Sequence, residues 1–285
     1  MYSIEKELQF LRLFVSKEYT EDKKCYSETE IQAVENRLRY KLPAPIRQLY
    51  QYMGDILVNS YYVKPLELLH WENNCLGFFI SPETDMIIGV CKDENPNFLF
   101  EWENGDYKDN ACDYLGDIEE AYEEEDFPKI QPAIDAYLAY WDEHRESPAF
   151  SAKRLNHNLR YVSLLDAYCI FLSAHAICEW AEISGRNYFT TSDICFEPDR
   201  LEQQNALNSK ILQSFAPLST HTELLEKGTP ILMAYKHENP NALLVLMEDD
   251  IALTLLTTQE PEKSFIANFE NQTGLQIIQH DHQCL

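Results

Sequence analysis

Pro43 and Pro45 limit what the segment LRYKLPAPIRQLYQYMGD (38–55) can become. Pro43 has no N–H to give a helix interior, and it drives Leu42 out of the α region. Upstream, Ser27-Glu-Thr-Glu30 is a capping box, and Ile31, Val34 and Leu38 form one apolar stripe behind it. Downstream, Pro45 suits the first turn of a second helix, whose buried face is Ile46, Leu49, Tyr50 and Met53. Gly54 is expected to stop that helix as its C′ residue. Residues 27–54 therefore read as two helices joined by a sharp Leu-Pro turn.

Around this unit the periodicity predicts a first helix over 3–16, then short strands at 76–80, 86–91 and 97–102 in an antiparallel meander. Helices follow near 131–145 and 160–182. Strands at 230–236, 242–248 and 251–257 come next, then a helix from Pro261 to about 272, a stop at Gly274 and a last strand in LQIIQH. The expected fold is α+β, a mostly antiparallel sheet flanked by helices, with extra helices and a C-terminal α/β lobe. The expected organisation is one domain over 1–185, with an acidic insertion near 106–146, and a lobe over 205–285 that is separate or part of the same domain. Lys92-Asp-Glu-Asn-Pro-Asn-Phe-Leu99 repeats in Lys236-His-Glu-Asn-Pro-Asn-Ala-Leu243. The echo reads as shared turn chemistry or as an old duplication.

Forty-eight acids against 23 bases leave a net charge of −25. Such a chain repels nucleic acid and anionic membranes, stays soluble and attracts basic partners. The charge is concentrated: from Asp93 to Asp126 there are fourteen acids and one base, Lys108.

Chemistry-bearing constellations are sparse. The eight cysteines form no Cys-x-x-Cys pair and lie in apolar runs, which predicts buried reduced thiols of a cytosolic protein. The opening MYSIEKELQFLRLF lacks the basic region of a secretory leader, and the run VSLLDAYCIFLSAHAICEW is too interrupted to span a membrane. No phosphate loop, dinucleotide fingerprint, zincin helix or nucleophile elbow occurs. Asp166, Cys169 and His175 share one helix, but Cys169 and His175 point apart and Asp166 would raise the thiol pKa. They read as a buried Cys and a polar-face His. His280, His282 and Cys284 have metal-like spacing but sit at a chain end. No catalytic residue, metal or cofactor is expected.

The acidic region is more telling as a surface. HWENN, FEWENGDY and DYLGDIEEAYEEEDF set aromatic side chains among carboxylates. Aromatic anchors ringed by one sign of charge suit a tight interface to a basic partner. The candidate contact residues are Trp71, Glu72, Trp102, Glu103, Asp106, Tyr107, Glu119, Glu120, Tyr122, Glu123, Glu124, Glu125 and Asp126. The competing reading puts the tryptophans in the core.

At Glu35, Leu42, Pro43, Leu49, Tyr50, Gly54 and Glu72-Asn73 the chain resembles the SUKH superfamily. That family shows an acidic helix ending in Leu-Pro, a helix leading to a glycine, and a strand with an aromatic-Glu-Asn motif. The resemblance covers about 27–105. SLLDAYCIFLSAHAICEW is similar to a later family helix, PILMAYKHENPNALLVLMEDDIAL to the terminal strands of larger members, and the acidic insertion departs from the pattern. The resemblance implies a binding domain with no enzymatic activity: a cytoplasmic immunity protein that neutralises a cognate bacterial toxin in interbacterial competition. Such toxins are often basic nucleases or nucleotide-modifying enzymes. The alternatives are a scaffold or regulatory module and, with less support, a hydrolase that reverses a toxin's modification.

Overall fold

A computed structural model describes residues 3–15, 25–59, 63–80, 86–95, 98–103, 111–124, 126–144, 150–155, 164–184, 188–191, 206–207, 209–217, 224–226, 229–238, 241–247 and 253–279. The chain is α+β and divides into two compact units. A middle unit spans Lys24–Asn156. A flanking unit combines Met1–Lys23 with His157–Leu285. These units do not coincide with a 1–185 and 205–285 division. Helix α1 (Ile4–Arg12) packs with a helix that lies beyond the whole middle unit in sequence. Local periodicity carries no sign of such a pairing.

In the middle unit, α2 (Glu28–Leu38) starts at the expected capping box: the Glu30 N–H donates to Ser27 Oγ at 3.3 Å and the Ser27 N–H to Glu30 Oε2 at 2.7 Å. It ends at Arg39, whose φ of 50° is left-handed, and the Tyr40 N–H returns to the Glu35 carbonyl. The Leu42 N–H, exposed by the Leu-Pro turn, donates to Glu35 Oε1 at 2.8 Å. Arg47, on the next helix, pairs with both Glu35 and Glu28. Glu35 thus holds the turn together, which gives a structural reason for an acid seven residues before Leu42.

That next helix, α3, runs Ala44–Asn59 and does not stop at Gly54. Ile56 and Leu57 extend its buried stripe past the glycine. Gly54 is there for space: a Cβ on it would lie 2.8 Å from Cδ2 of Tyr26, whose ring lies against the helix.

The sheet of this unit runs in sequence order, β1 (Trp71–Glu72), β2 (Cys75–Ile80), β3 (Met86–Cys91), β4 (Phe100–Glu103) and β5 (Lys153–Arg154), with every neighbour antiparallel. The β1–β2 hairpin turns on Asn73 and Asn74, with φ of 45° and 64°. Two left-handed residues in a two-residue loop match the twist of the strands, and Asn tolerates that conformation. At Gly77 a Cβ would meet Ile87 at 2.2 Å and the Trp102 ring at 3.2 Å, so the indole lies close over bare backbone.

The acidic stretch folds as a helical hairpin, α4 (Ala111–Glu123) and α5 (Phe127–His144). Helix α5 begins four residues before the expected 131 and takes Pro132 inside it. Ala111 and Ile118 of α4 pack with Ile134, Tyr137 and Trp141 of α5 around Leu68.

One expectation about the cysteines is overturned: Cys75 and Cys91 form a disulfide. Their sequence separation of 16 hides the pairing, but the β2–β3 register sets them directly opposite each other. Cys25, Cys112, Cys169 and Cys178 take no part in this disulfide.

The flanking unit contains α6 (Leu164–Ser184), β6 (Tyr188–Thr191), β7 (Ala216–Pro217), β8 (Leu224–Glu226), β9 (Thr229–Glu238), β10 (Asn241–Met247), β11 (Thr254–Thr257), α7 (Lys263–Thr273) and β12 (Ile277–Gln279). Its sheet has the order β12-β6-β11-β10-β9-β7, with β8 also paired to β9, and all of these pairs are antiparallel. Alternation along β10 sends Ala242 and Leu244 into a core with Phe215, Leu255 and Phe269 of α7. The neighbouring Leu243 sits opposite Lys236, whose ammonium meets Glu7 of α1 at 3.1 Å. Gly274, at φ 80°, caps α7 as expected.

The echoed octapeptides take different connections. Lys236 and Leu243 are a ladder pair in a tight hairpin, with Glu238 opposite Asn241. Lys92 and Leu99 lie outside the strands.

Candidate protein-binding surface

The helical period decides which way the acids of α4 face. With Ala111, Ile118 and Ala121 buried, Asp113, Asp117, Glu119 and Glu120 are left on the solvated side, followed by exposed Glu124. On α5, burial of Ile134, Tyr137 and Trp141 leaves Asp135, Asp142 and Glu143 exposed. The hairpin therefore has a carboxylate-coated outer face and an aromatic interior. His70 stacks on Trp141 at 4.4 Å, and its Nδ1 lies 3.3 Å from the Tyr137 hydroxyl.

One carboxylate ties α4 to the rest of the unit. Glu67, in the short helical turn Leu66–Leu68, accepts from the Tyr26 hydroxyl at 3.0 Å and from the Tyr122 hydroxyl at 3.3 Å. The Leu66 N–H donates to Tyr26, and the Arg37 guanidinium donates to the Glu67 carbonyl at 3.0 Å. Burial, then the Glu67 charge, pushes the Tyr26 phenol far above its usual range. The same two causes push Tyr122 up to about 12. Both phenols therefore stay protonated, as donors, at neutral pH.

At the turn between the helices, Tyr122 is 49% exposed and Phe127 is 73% exposed. Exposed Glu119, Glu120 and Glu124 and half-buried Asp126 belong to the same stretch. The base there, Lys129, is already held by Asp126 at 2.9 Å and Glu124 at 3.3 Å. A large apolar ring left in water beside carboxylates is what a cationic, partly apolar partner would cover.

The other expected contact residues have different positions. Trp102 is only 2% exposed, and its indole N–H donates to Glu72 Oε2 at 2.9 Å; Glu72 is itself buried. Neither can touch a partner from inside the core, so the core reading of Trp102 holds and both leave the contact set. Trp71 is half-buried: its N–H donates to the Leu38 carbonyl at 3.1 Å, Tyr40 packs edge-on, and Lys92 lies over the ring. It docks the β1–β2 hairpin on the end of α2. Glu103 is exposed at the end of β4. Asp106, Tyr107 and Glu125 lie outside the described residues, and Glu123 is the last residue of α4. Sequence reasoning missed Phe127 and Glu67. An apolar residue wedged between Asp126 and Pro128 was the available signal for the first; nothing local marks the second.

Cys169 is fully buried, and burial followed by the Asp166 charge raises its thiol pKa, so it is a poor nucleophile. His280, His282 and Cys284 lie outside the described residues. Among the described residues no cluster of His, Cys, Asp and Glu is arranged to hold a metal, and no helix is long and apolar enough to cross a membrane. Compared with family models, curated proteins and solved structures, the chain matches none.

Proposed function

We propose that this chain is a non-catalytic, SUKH-like immunity protein that binds and occludes a basic bacterial toxin in the cytosol. The observation that carries the reading is the pair of exposed aromatics, Tyr122 and Phe127, on an acid-coated helical hairpin. The Leu-Pro turn fastened by Glu35 and Arg47 supports it as a fold device of the kind the resemblance implies. Carboxylates steer a basic partner toward the surface, and the rings supply the desolvated contact that slows its release.

The test starts from the tagged chain recovered from its native cells. The expected result is a stoichiometric basic protein with a toxin domain, and rescue of cells that express that domain when the chain is co-expressed. Glu119→Lys, Glu120→Lys and Glu124→Lys together should slow association by about tenfold or more at low salt. Phe127→Ala should mainly speed dissociation. A chain that neither binds nor protects against the toxin encoded beside it would overturn the immunity reading. Unchanged kinetics in both variants would overturn the surface.

A further inference from the structure

We propose that Glu67 is the positioning residue of the contact surface: it relays the packing of Tyr26 against α3 to the Tyr122 ring, so that the ring is held in place before a partner arrives. The relay begins at Gly54. Its missing Cβ admits the Tyr26 ring, which also meets Tyr50 edge-on at 5.4 Å, and the Tyr26 N–H donates to the Tyr50 carbonyl at 3.2 Å. Both tyrosines then reach the same short segment. The Tyr50 hydroxyl donates to the Lys64 carbonyl at 2.7 Å. The Tyr26 hydroxyl accepts from the Leu66 N–H and donates to Glu67 Oε2. From α2, the Arg37 guanidinium holds the Glu67 carbonyl. Glu67 is thus fixed at its backbone and at one carboxylate oxygen, and the other, Oε1, accepts from the Tyr122 hydroxyl.

The tie acts where α4 is least held by packing. Ala111 and Ile118 pack α4 against α5. The last turn buries Ala121, whose methyl gives little grip, and the Tyr122 ring beside it is half in water. An untied ring there samples several rotamers, and a partner has to freeze them on contact. Glu67 removes that freedom in advance. Gly54 and Tyr26 therefore bear on binding without belonging to the surface, and the coupling runs through packed rings and hydrogen bonds. This step rests on the contact surface proposed above, not on the identity of the toxin.

The full-length chain is labelled with fluorotyrosine and read by fluorine NMR, the Tyr122 resonance being assigned by its loss in Tyr122→Phe. Glu67→Ala should move that resonance toward its position in the unfolded chain, with the circular dichroism unchanged. Amide exchange over residues 118–124 should rise about tenfold, the effect of losing one hydrogen bond to a charged group, while 44–57 stay protected. Glu67→Gln keeps one acceptor oxygen and should restore part of both signals. Tyr26→Phe keeps the ring and loses the hydroxyl, and should act in the same direction as Glu67→Ala. In a Tyr122→Phe background its effect on exchange should vanish, because Glu67 no longer reaches α4. Ile87→Val, which weakens the sheet core of the same unit, should leave the Tyr122 resonance where it is.

A resonance and an exchange rate indifferent to Glu67→Ala would overturn the positioning role. So would a Tyr26→Phe effect that persists without the Tyr122 hydroxyl, or an equal shift in Ile87→Val, which would make the signal one of general loosening. These readouts involve no toxin, so their failure is separate from failure of the inhibitor reading.

Discussion

Replacing Trp102 with Phe distinguishes a core residue from a contact residue. The indole is 2% exposed and donates to the buried Glu72 carboxylate at 2.9 Å. A hydrogen bond to a charged group contributes about 1.5–3 kcal/mol. The space left by the smaller ring costs about 1–2 kcal/mol more. The expected loss of about 2.5–5 kcal/mol is a large part of the 5–15 kcal/mol or so that holds a domain together. The assay is urea unfolding of the full chain followed by circular dichroism, with the transition of the middle unit fitted separately because two units need not unfold as one. Glu72→Gln keeps the shape and an acceptor, so its cost should be about 1 kcal/mol. In the double variant the two losses should fall short of additivity by about 1–2 kcal/mol, because the indole and the carboxyl share one interaction. A Trp102→Phe cost below about 0.5 kcal/mol would refute the buried bond. Loss of partner affinity at full stability would return Trp102 to the contact surface.

Gly54→Ala gains about 1 kcal/mol of helix propensity but drives a methyl to 2.8 Å from the Tyr26 ring. Tyr26 is fastened at its hydroxyl by Glu67 and the Leu66 N–H, so the ring cannot swing away cheaply, and a net loss of about 1–2 kcal/mol is expected. A raised melting temperature would show that the ring moves aside. Asn74→Gly should stay within a few tenths of a kcal/mol of the parent, and Asn74→Ala should cost about 1 kcal/mol, because only the alanine resists a φ of 64°; equal melting temperatures would contradict the hairpin geometry. In alkali, Tyr122 has a folded pKa of about 12 against 10 for a free phenol, so the folded state holds its proton more tightly. The stability this contributes is complete below about pH 10 and is lost as pH rises toward about 12. Phenolate absorbance should lag in the parent, and Tyr122→Phe should remove part of that lag; an unchanged lag would show that burial and the Glu67 charge do not hold the Tyr122 proton.

Much of the local structure was legible in the sequence. The capping box at Ser27, the Leu-Pro turn, the strands of the first meander and the Gly274 stop are short-range matters, decided by caps, proline geometry and period. The solvated face of α4 was also implicit, because a helix must bury one side and its apolar residues name that side. What failed was what depends on neighbours in space. Gly54 looked like a terminator because its local signal is the same whether it stops a helix or admits a ring; only the arrival of Tyr26 distinguishes the two. Trp102 looked like an interface anchor because aromatic residues among acids read alike on a surface and in a core.

Composition and period, by themselves, determined the α+β class, the helix–turn–helix and the acid-rich character of residues 93–126, since each follows from side-chain chemistry within a few residues. Tertiary structure alone decided that α1 joins the flanking unit, that Cys75 meets Cys91, that Glu67 grips two phenols, and that the Phe127 ring is left in water. Those outcomes depend on strand register and on long-range packing, where the partners are tens of residues apart and no local pattern records their meeting.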